Sequence, residues 1–318
     1  HHWYNLVNLL KGSDEMAIPH IPSYSIPELS ELIENRVSWT LDPKRSALLI
    51  HDMQNYFLDK FTPNASPIKE LVENIQRLKK VCQERGIPVI YSAQPGGQTI
   101  EQRGLLQDFW GDGIGQDLDQ MAIRQEIAPG DQDILLTKWR YSAFKRTNLL
   151  EILQKHERDQ LIICGVYAHI GCLLTAADAY MQDIQPFFVA DAVADFSLEE
   201  HKMAVRYAAS RCAYTLTTEH ALDLLQKEQS APRHSLPMSL GEMRKQVAEL
   251  IQEEPENISV DENLFHRGLD SVRMMVLVEK WRRAGAEITF ARLAVRPFLS
   301  EWWELLSKAS MIESLQDS

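Results

Sequence analysis

Five short apolar runs, spaced by stretches of helical periodicity, restrict this chain to very few architectures. They are SALLI (46–50), PVIYSAQ (88–94), ILLTK (134–138), QLIIC (160–164) and PFFVA (186–190). Their apolar residues run on without strict alternation, as in strands of a parallel sheet covered by helices on both sides. Between the first two runs, residues 67–85 place Ile68, Leu71, Ile75, Leu78 and Cys82 on one helical stripe. Gly86 stops that helix and Pro88 opens the next strand. Further helices are expected over 172–182 and 198–209, and a short strand near 214–218 closes the region. The expected fold class is α/β, a parallel doubly wound sheet.

The pattern breaks at residue 226. QKEQSAPRHSLPMSL (226–240) is polar, holds two prolines and has no period, so it reads as a linker. Beyond it the spacing is purely helical. Met243, Val247, Leu250 and Ile251 mark a helix over 240–252, a second runs over 271–284, and a third starts near 298 with Trp302, Trp303, Leu305 and Leu306. A small C-terminal helical bundle is expected, and 318 residues at about 150 per domain also make two domains. The expected divisions are 1–15 as tag-derived sequence before a native start at Met16, 16–228 as the α/β domain, 229–239 as linker, 240–311 as the helical domain and 312–318 as a tail.

Charge narrows the function. The chain has 33 basic and 45 acidic residues, a net −12, which suits a nucleic-acid backbone poorly. Its most apolar stretch, 161–181, is broken by Gly165, His169, Gly171 and Asp178, so no membrane span is expected. No basic flank with an apolar run and cleavage site marks a secretory signal. Cys82, Cys164, Cys172 and Cys212 sit in apolar stretches without C-x-x-C pairing, which reads as buried thiols in a reduced, cytoplasmic setting.

Ligands of open α/β sheets bind beyond the carboxyl ends of the strands. Asp52, Gln94, Lys138 and the turn GVYAHIG (165–171) all fall there. Each has a plain alternative: Asp52 as a helix cap, Gln94 as a turn residue, Lys138 as a solvated strand end. Their joint placement on one rim favours a site.

HDMQNYF (51–57), TKWRYSAF (137–144), GVYAHIGCLLTAADAY (165–180) and VADAVADFS (189–197) resemble the isochorismatase branch of the cysteine-hydrolase superfamily. GLDSVRMM (268–275) resembles an aryl carrier protein. Together they resemble the bifunctional isochorismatase/aryl carrier proteins of catecholate siderophore biosynthesis, as in the enterobactin, vibriobactin and anguibactin pathways. Amidohydrolases of the superfamily use an Asp–Lys–Cys triad, with the cysteine six residues after the turn glycine. Six residues after Gly165 stands Gly171; Cys172 comes one position later, rotated by about 100° if the segment is helical. The resemblance therefore implies no thiol nucleophile. It also implies no metal, because the Asp-x-His arrangement of metal-binding relatives is missing.

What the resemblance implies instead is hydrolysis of the vinyl ether of isochorismate, giving 2,3-dihydro-2,3-dihydroxybenzoate and pyruvate. Asp52 would be the general acid, its pKa raised in the complex by an apolar pocket against the opposing pull of Lys138. Phe57, Trp110, Tyr141 and Phe144 would form walls. Gln94, Arg103, Lys138 and Tyr167 would hold the dianionic substrate, with the Gly171 N–H as an anion contact at a helix N-terminus. The plain alternatives are a solvated helix charge for Arg103 and core positions for Tyr167 and His169.

By the same resemblance Ser271 carries covalent 4′-phosphopantetheine, although a serine at a helix start is more often a cap. The implied partners are a phosphopantetheinyl transferase, a 2,3-dihydroxybenzoate-adenylating ligase and a nonribosomal peptide synthetase condensation domain, with a homodimer as the assembly. The helix after Ser271 should bury Met274, Leu277, Val278 and Trp281 and expose Val272, Met275 and Val276. Phe265, Phe290, Trp302 and Trp303 read as core. Two other functions stay open at this point: a nicotinamidase-like cysteine amidohydrolase using Cys172, and a non-catalytic aryl carrier scaffold.

Overall fold

A computed structural model describes residues 17–28, 34–226 and 236–316. The expected tag-derived residues 1–15, Met16, linker residues 229–235 and the last two residues of the tail lie outside the described residues. The chain divides into two compact units, 1–227 and 228–318.

The first unit holds six strands: β1 (Ser46–His51), β2 (Val89–Ala93), β3 (Ile134–Thr137), β4 (Gln160–Val166), β5 (Gln185–Ala194) and β6 (Tyr214–Leu216). All pair in parallel, in the order β3-β2-β1-β4-β5-β6. The main helices are α1 (Ile68–Glu84), α2 (Leu149–Lys155), α3 (Leu173–Met181), α4 (Leu198–Arg211) and α5 (Thr218–Gln226). The alternation of β1 shows why its run is apolar throughout. Leu48 and Ile50 face a core shared with Leu71, Ile75 and Leu78 of α1, while Ala47 and Leu49 face another shared with Leu153, Ala176 and Val205. The expected parallel sheet with two covered faces is what forms.

Two strands depart from expectation. β3 is an edge strand, and Leu135 is 65% exposed although its run reads as core. β5 was expected to end before Asp191 and instead runs on to Ala194. Asp191 is tolerated inside it because its Oδ1 accepts hydrogen bonds from the backbone N–H and hydroxyl of Thr218, both at 2.7 Å. That contact also anchors the start of α5, which the sequence reading missed.

The second unit packs α6 (Leu240–Ile251), α7 (Ser271–Arg283), α8 (Phe290–Val295) and α9 (Leu299–Gln316). Met243, Val247, Met274, Leu277, Trp281 and Trp302 fill its core. The Trp281 and Trp302 rings meet edge to face at 6.0 Å. Their indole N–H groups are satisfied by Gln246 Oε1 at 2.8 Å and the Leu293 carbonyl at 3.0 Å. Phe265 and Phe290 are not core, being 37% and 36% exposed. Neighbouring Leu264 and Leu293 take the inward positions instead. Trp303 only packs against the core edge.

Candidate active site

The strand order reverses around β1, whose neighbours are β2 and β4. A doubly wound sheet opens its ligand crevice at that point. Asp52 follows β1 with φ +48, a left-handed conformation that Asp tolerates better than most residues. The turn matters because adjacent strand residues point to opposite faces. Leaving the strand conformation lets His51 and Asp52 both line one cavity. Gly165 of β4 permits the close approach behind them: a Cβ there would stand 2.2 Å from the His51 carbonyl oxygen.

Asp52 is 4% exposed and its carboxylate is fully engaged. Ser92 Oγ donates to Oδ1 at 2.8 Å, Gln94 Nε2 to Oδ2 at 3.2 Å, and Lys138 Nζ lies 2.9 Å from Oδ2. Lys138 is itself only 1% exposed and also donates to the Arg140 carbonyl at 2.8 Å. Burial pushes the Asp52 pKa up, but the neighbouring charges and the hydrogen bonds from Lys138 and Ser92 outweigh it, and the net direction is down. His51 and Lys138 are the two basic neighbours that pull Asp52 down, while burial lowers the pKa of His51 itself. In the free protein the carboxyl is therefore ionised. The raised pKa expected for Asp52 is not what these surroundings give.

Other expected residues reach the same cavity. Arg103 is 2% exposed, which overturns the solvated-charge alternative. Its Nε donates to the Gly111 carbonyl at 2.9 Å, and among the described residues no carboxylate pairs with it. Gly113 clears space for it, since a Cβ there would lie 2.7 Å from Arg103 Nη1. Phe57, Trp110, Tyr141 and Tyr167 line the walls, and Trp110 Nε1 donates to the Tyr141 hydroxyl at 2.8 Å. The Tyr167 hydroxyl already donates to the Phe57 carbonyl at 2.8 Å, so the residue offers its ring to the cavity while its proton is engaged. Phe144 was expected as a wall and is not one; it packs on the core of the opposite face. His169 is bound to Asp195 through its ring at 2.6 Å and its backbone N–H at 2.7 Å, so it is neither core filler nor cavity wall.

The turn after β4 differs from the expected helix start. Residues Ala168–Cys172 form a π-helical turn, and α3 begins only at Leu173. Gly171 lines the cavity while Cys172 faces the core with Ala47, Leu49 and Ala176. Burial pushes the Cys172 thiol well up, which makes it a poor nucleophile. A Cβ on Gly171 would lie 2.1 Å from His51 Cε1. The glycine thus makes room for an imidazole as well as for a ligand. The sequence reading passed over His51, which lines the cavity, and Ser92, which supports Asp52 from behind; the signal was a polar residue toward the carboxyl end of each apolar run. Among the described residues no group of three or more His, Cys, Asp or Glu side chains forms a metal-ligating cluster.

In the second unit Ser271 is exposed and is the first residue of α7. It is not the cap. Asp270 fills that role, its Oδ1 accepting the Arg273 N–H at 2.8 Å. An accessible hydroxyl at the start of a 13-residue helix, beside exposed Val272, Met275 and Val276, fits attachment of an anionic phosphopantetheine arm.

A buried carboxylate and ammonium at the switch point of a doubly wound sheet, in a cavity that no thiol lines among the described residues, mark the site of an α/β hydrolase. The family comparisons agree. An isochorismatase domain model matches residues 46–220, and a phosphopantetheine attachment site model matches residues 242–301. The chain is 56% identical over 302 residues to an isochorismatase of Bacillus subtilis, covering 93% of this chain and 97% of that one. It is 44% identical over 293 residues to enterobactin synthase component B of Escherichia coli, covering 92% and 99%. A cysteine hydrolase from Pseudomonas syringae shares the fold of the first unit, with a TM-score of 0.55 and 20% identity over 62% of this chain and 98% of that one. The chain belongs to the isochorismatase family, and joins the family's domain to a phosphopantetheine carrier.

Proposed function

We propose that the first unit hydrolyses isochorismate and that the second carries 2,3-dihydroxybenzoate as a phosphopantetheine thioester for siderophore synthesis. The observation that carries the reading is Asp52, a buried carboxyl paired with Lys138 in a cavity that no thiol lines among the described residues. A vinyl ether needs a proton on carbon and no nucleophilic side chain. Asp52 gives a proton to the enolpyruvyl methylene carbon, water adds to the resulting oxocarbenium ion, and the hemiketal collapses to pyruvate and 2,3-dihydro-2,3-dihydroxybenzoate. The two substrate carboxylates bring negative charge into the cavity. One meets Arg103, and together they offset Lys138 and raise Asp52 until it holds a proton. Gln94 shifts from Asp52 to the substrate, Phe57, Trp110 and Tyr167 exclude water, and the Gly171 backbone borders the reacting group.

Pyruvate release from isochorismate tests this directly, with Asp52→Asn as control. No pyruvate from the wild-type chain overturns the reading. Thiol alkylation separates it from an amidohydrolase that uses Cys172: activity should survive here and vanish there.

Ser271 is the attachment point. A phosphopantetheinyl transferase installs the arm, an adenylating ligase loads it, and a condensation domain receives the aryl group. The phosphate sits at the start of α7, and the thiol of the arm holds the thioester. Mass spectrometry after incubation with coenzyme A and a broad transferase shows the arm, and an addition that survives Ser271→Ala rules this site out. The working boundaries are 16–228, a linker over 229–239 and 240–311, and the protein acts as a cytoplasmic homodimer.

A further inference from the structure

We propose that His51 is the catalytic base of the water step, accepting a proton at Nε2; this rests on the isochorismate reading above. The geometry fixes the tautomer. His51 Nδ1 lies 2.7 Å from the Val166 carbonyl oxygen, and a carbonyl only accepts, so Nδ1 carries the hydrogen. In a neutral ring Nε2 then holds a lone pair. That nitrogen is buried and has no hydrogen-bond partner among the described residues, although its ring lines the cavity beside Asp52, Lys138 and Gly171. An unsatisfied acceptor is unusual inside a protein and calls for an explanation.

The surroundings support proton traffic at this atom. Asp52 Oδ2 is 3.9 Å from Nδ1, close enough to favour an imidazolium without bonding the neutral ring. Burial, the largest influence, and Lys138 favour the neutral ring, while Asp52 and the Val166 carbonyl favour the protonated one. On balance burial keeps the ring neutral, so Nε2 takes a proton only while water is adding to the oxocarbenium ion.

The step balances. Asp52 protonates the methylene carbon and becomes a carboxylate. Water forms its C–O bond to the oxocarbenium carbon as Nε2 takes one of its protons. The hemiketal then collapses: its hydroxyl proton returns to Asp52, the bond to the ring oxygen breaks, and His51 gives its proton to that oxygen. Both residues end as they began, and one water has been consumed.

The test is hydrolysis in heavy water with His51→Asn, whose amide can keep the bond to the Val166 carbonyl but offers nothing at the Nε2 position. We expect kcat to fall about 10²–10⁴-fold with little change in KM. We also expect unreacted isochorismate to gain deuterium at the methylene carbon, because an oxocarbenium ion that water cannot capture returns a hydrogen to Asp52. Damage to packing alone would slow turnover without that exchange. A variant with wild-type kcat, or a slow one whose substrate stays free of deuterium, overturns the role. Wild-type protein that releases no pyruvate overturns the isochorismate reading instead. If His51→Asn does not fold, Gly171→Ala gives a second route. Its Cβ would lie 2.1 Å from His51 Cε1 and must displace the ring, so the same exchange is expected and its absence counts against the proposal.

Discussion

The two units keep their working groups under opposite conditions. Asp52 is 4% exposed and held by Ser92, Gln94 and Lys138, whereas Ser271 stands exposed with the capping task taken over by Asp270. Protonating carbon demands a site where charge is costly and water is rationed, because only there can a ligand move a carboxyl across its titration range. Carrying an acyl group demands that several enzymes reach one atom. On the proposed chemistry, burial is part of the mechanism in one unit and would be a defect in the other.

Single substitutions should separate the units. Ser271→Ala has the largest expected effect: the phosphopantetheine addition disappears entirely by mass spectrometry, while pyruvate release is unchanged. Asp52→Asn does the reverse, lowering pyruvate release by at least about 10²-fold while leaving the addition intact. Transfer of either defect to the other unit would break the comparison. Trp281→Ala probes stability. Deleting a fully buried tryptophan costs about 3–5 kcal/mol, roughly what a core this small supplies. The second unit should unfold in calorimetry or lose its protection from proteolysis, and hydrolysis should persist.

The smallest effect is on pH. Burial lowers the pKa of both His51 and His201 in the first unit. Their folded rings bind protons less readily than the unfolded chain does, so stability falls as pH drops below about 6.5. His169 works the other way. Burial lowers it, but the bond and charge of Asp195 outweigh that and raise it, so its contribution is present at low pH and lost as pH rises through the folded value. His51 and His201 are the fully buried pair and set the expected direction: the first unit should melt at a lower temperature at pH 5.5 than at pH 7.

Much of this was legible in the sequence, for identifiable reasons. Core strands declare themselves because both faces must be apolar, and strand ends mark the rim, which placed Asp52, Gln94 and Lys138 together. Asp191 hid the end of β5 because its partner Thr218 lies 27 residues away. His51 was hidden by strand periodicity itself, which sends neighbours to opposite faces unless the backbone turns at Asp52. Phe144 and Tyr167 show another limit: an aromatic in a matching motif can still point into the opposite core or donate its proton to a backbone carbonyl. The cap at Asp270 was one residue away from where a serine at a helix start invites the eye.

The shared space of His51 and Gly171 has an evolutionary corollary. Placing a cysteine at 171 would collide with the imidazole, and shrinking the imidazole first would leave a hollow before any sulfur arrived. The two positions are therefore epistatic. A single change to cysteine at 171 meets the imidazole, so a thiol at that position requires a change at 51 as well.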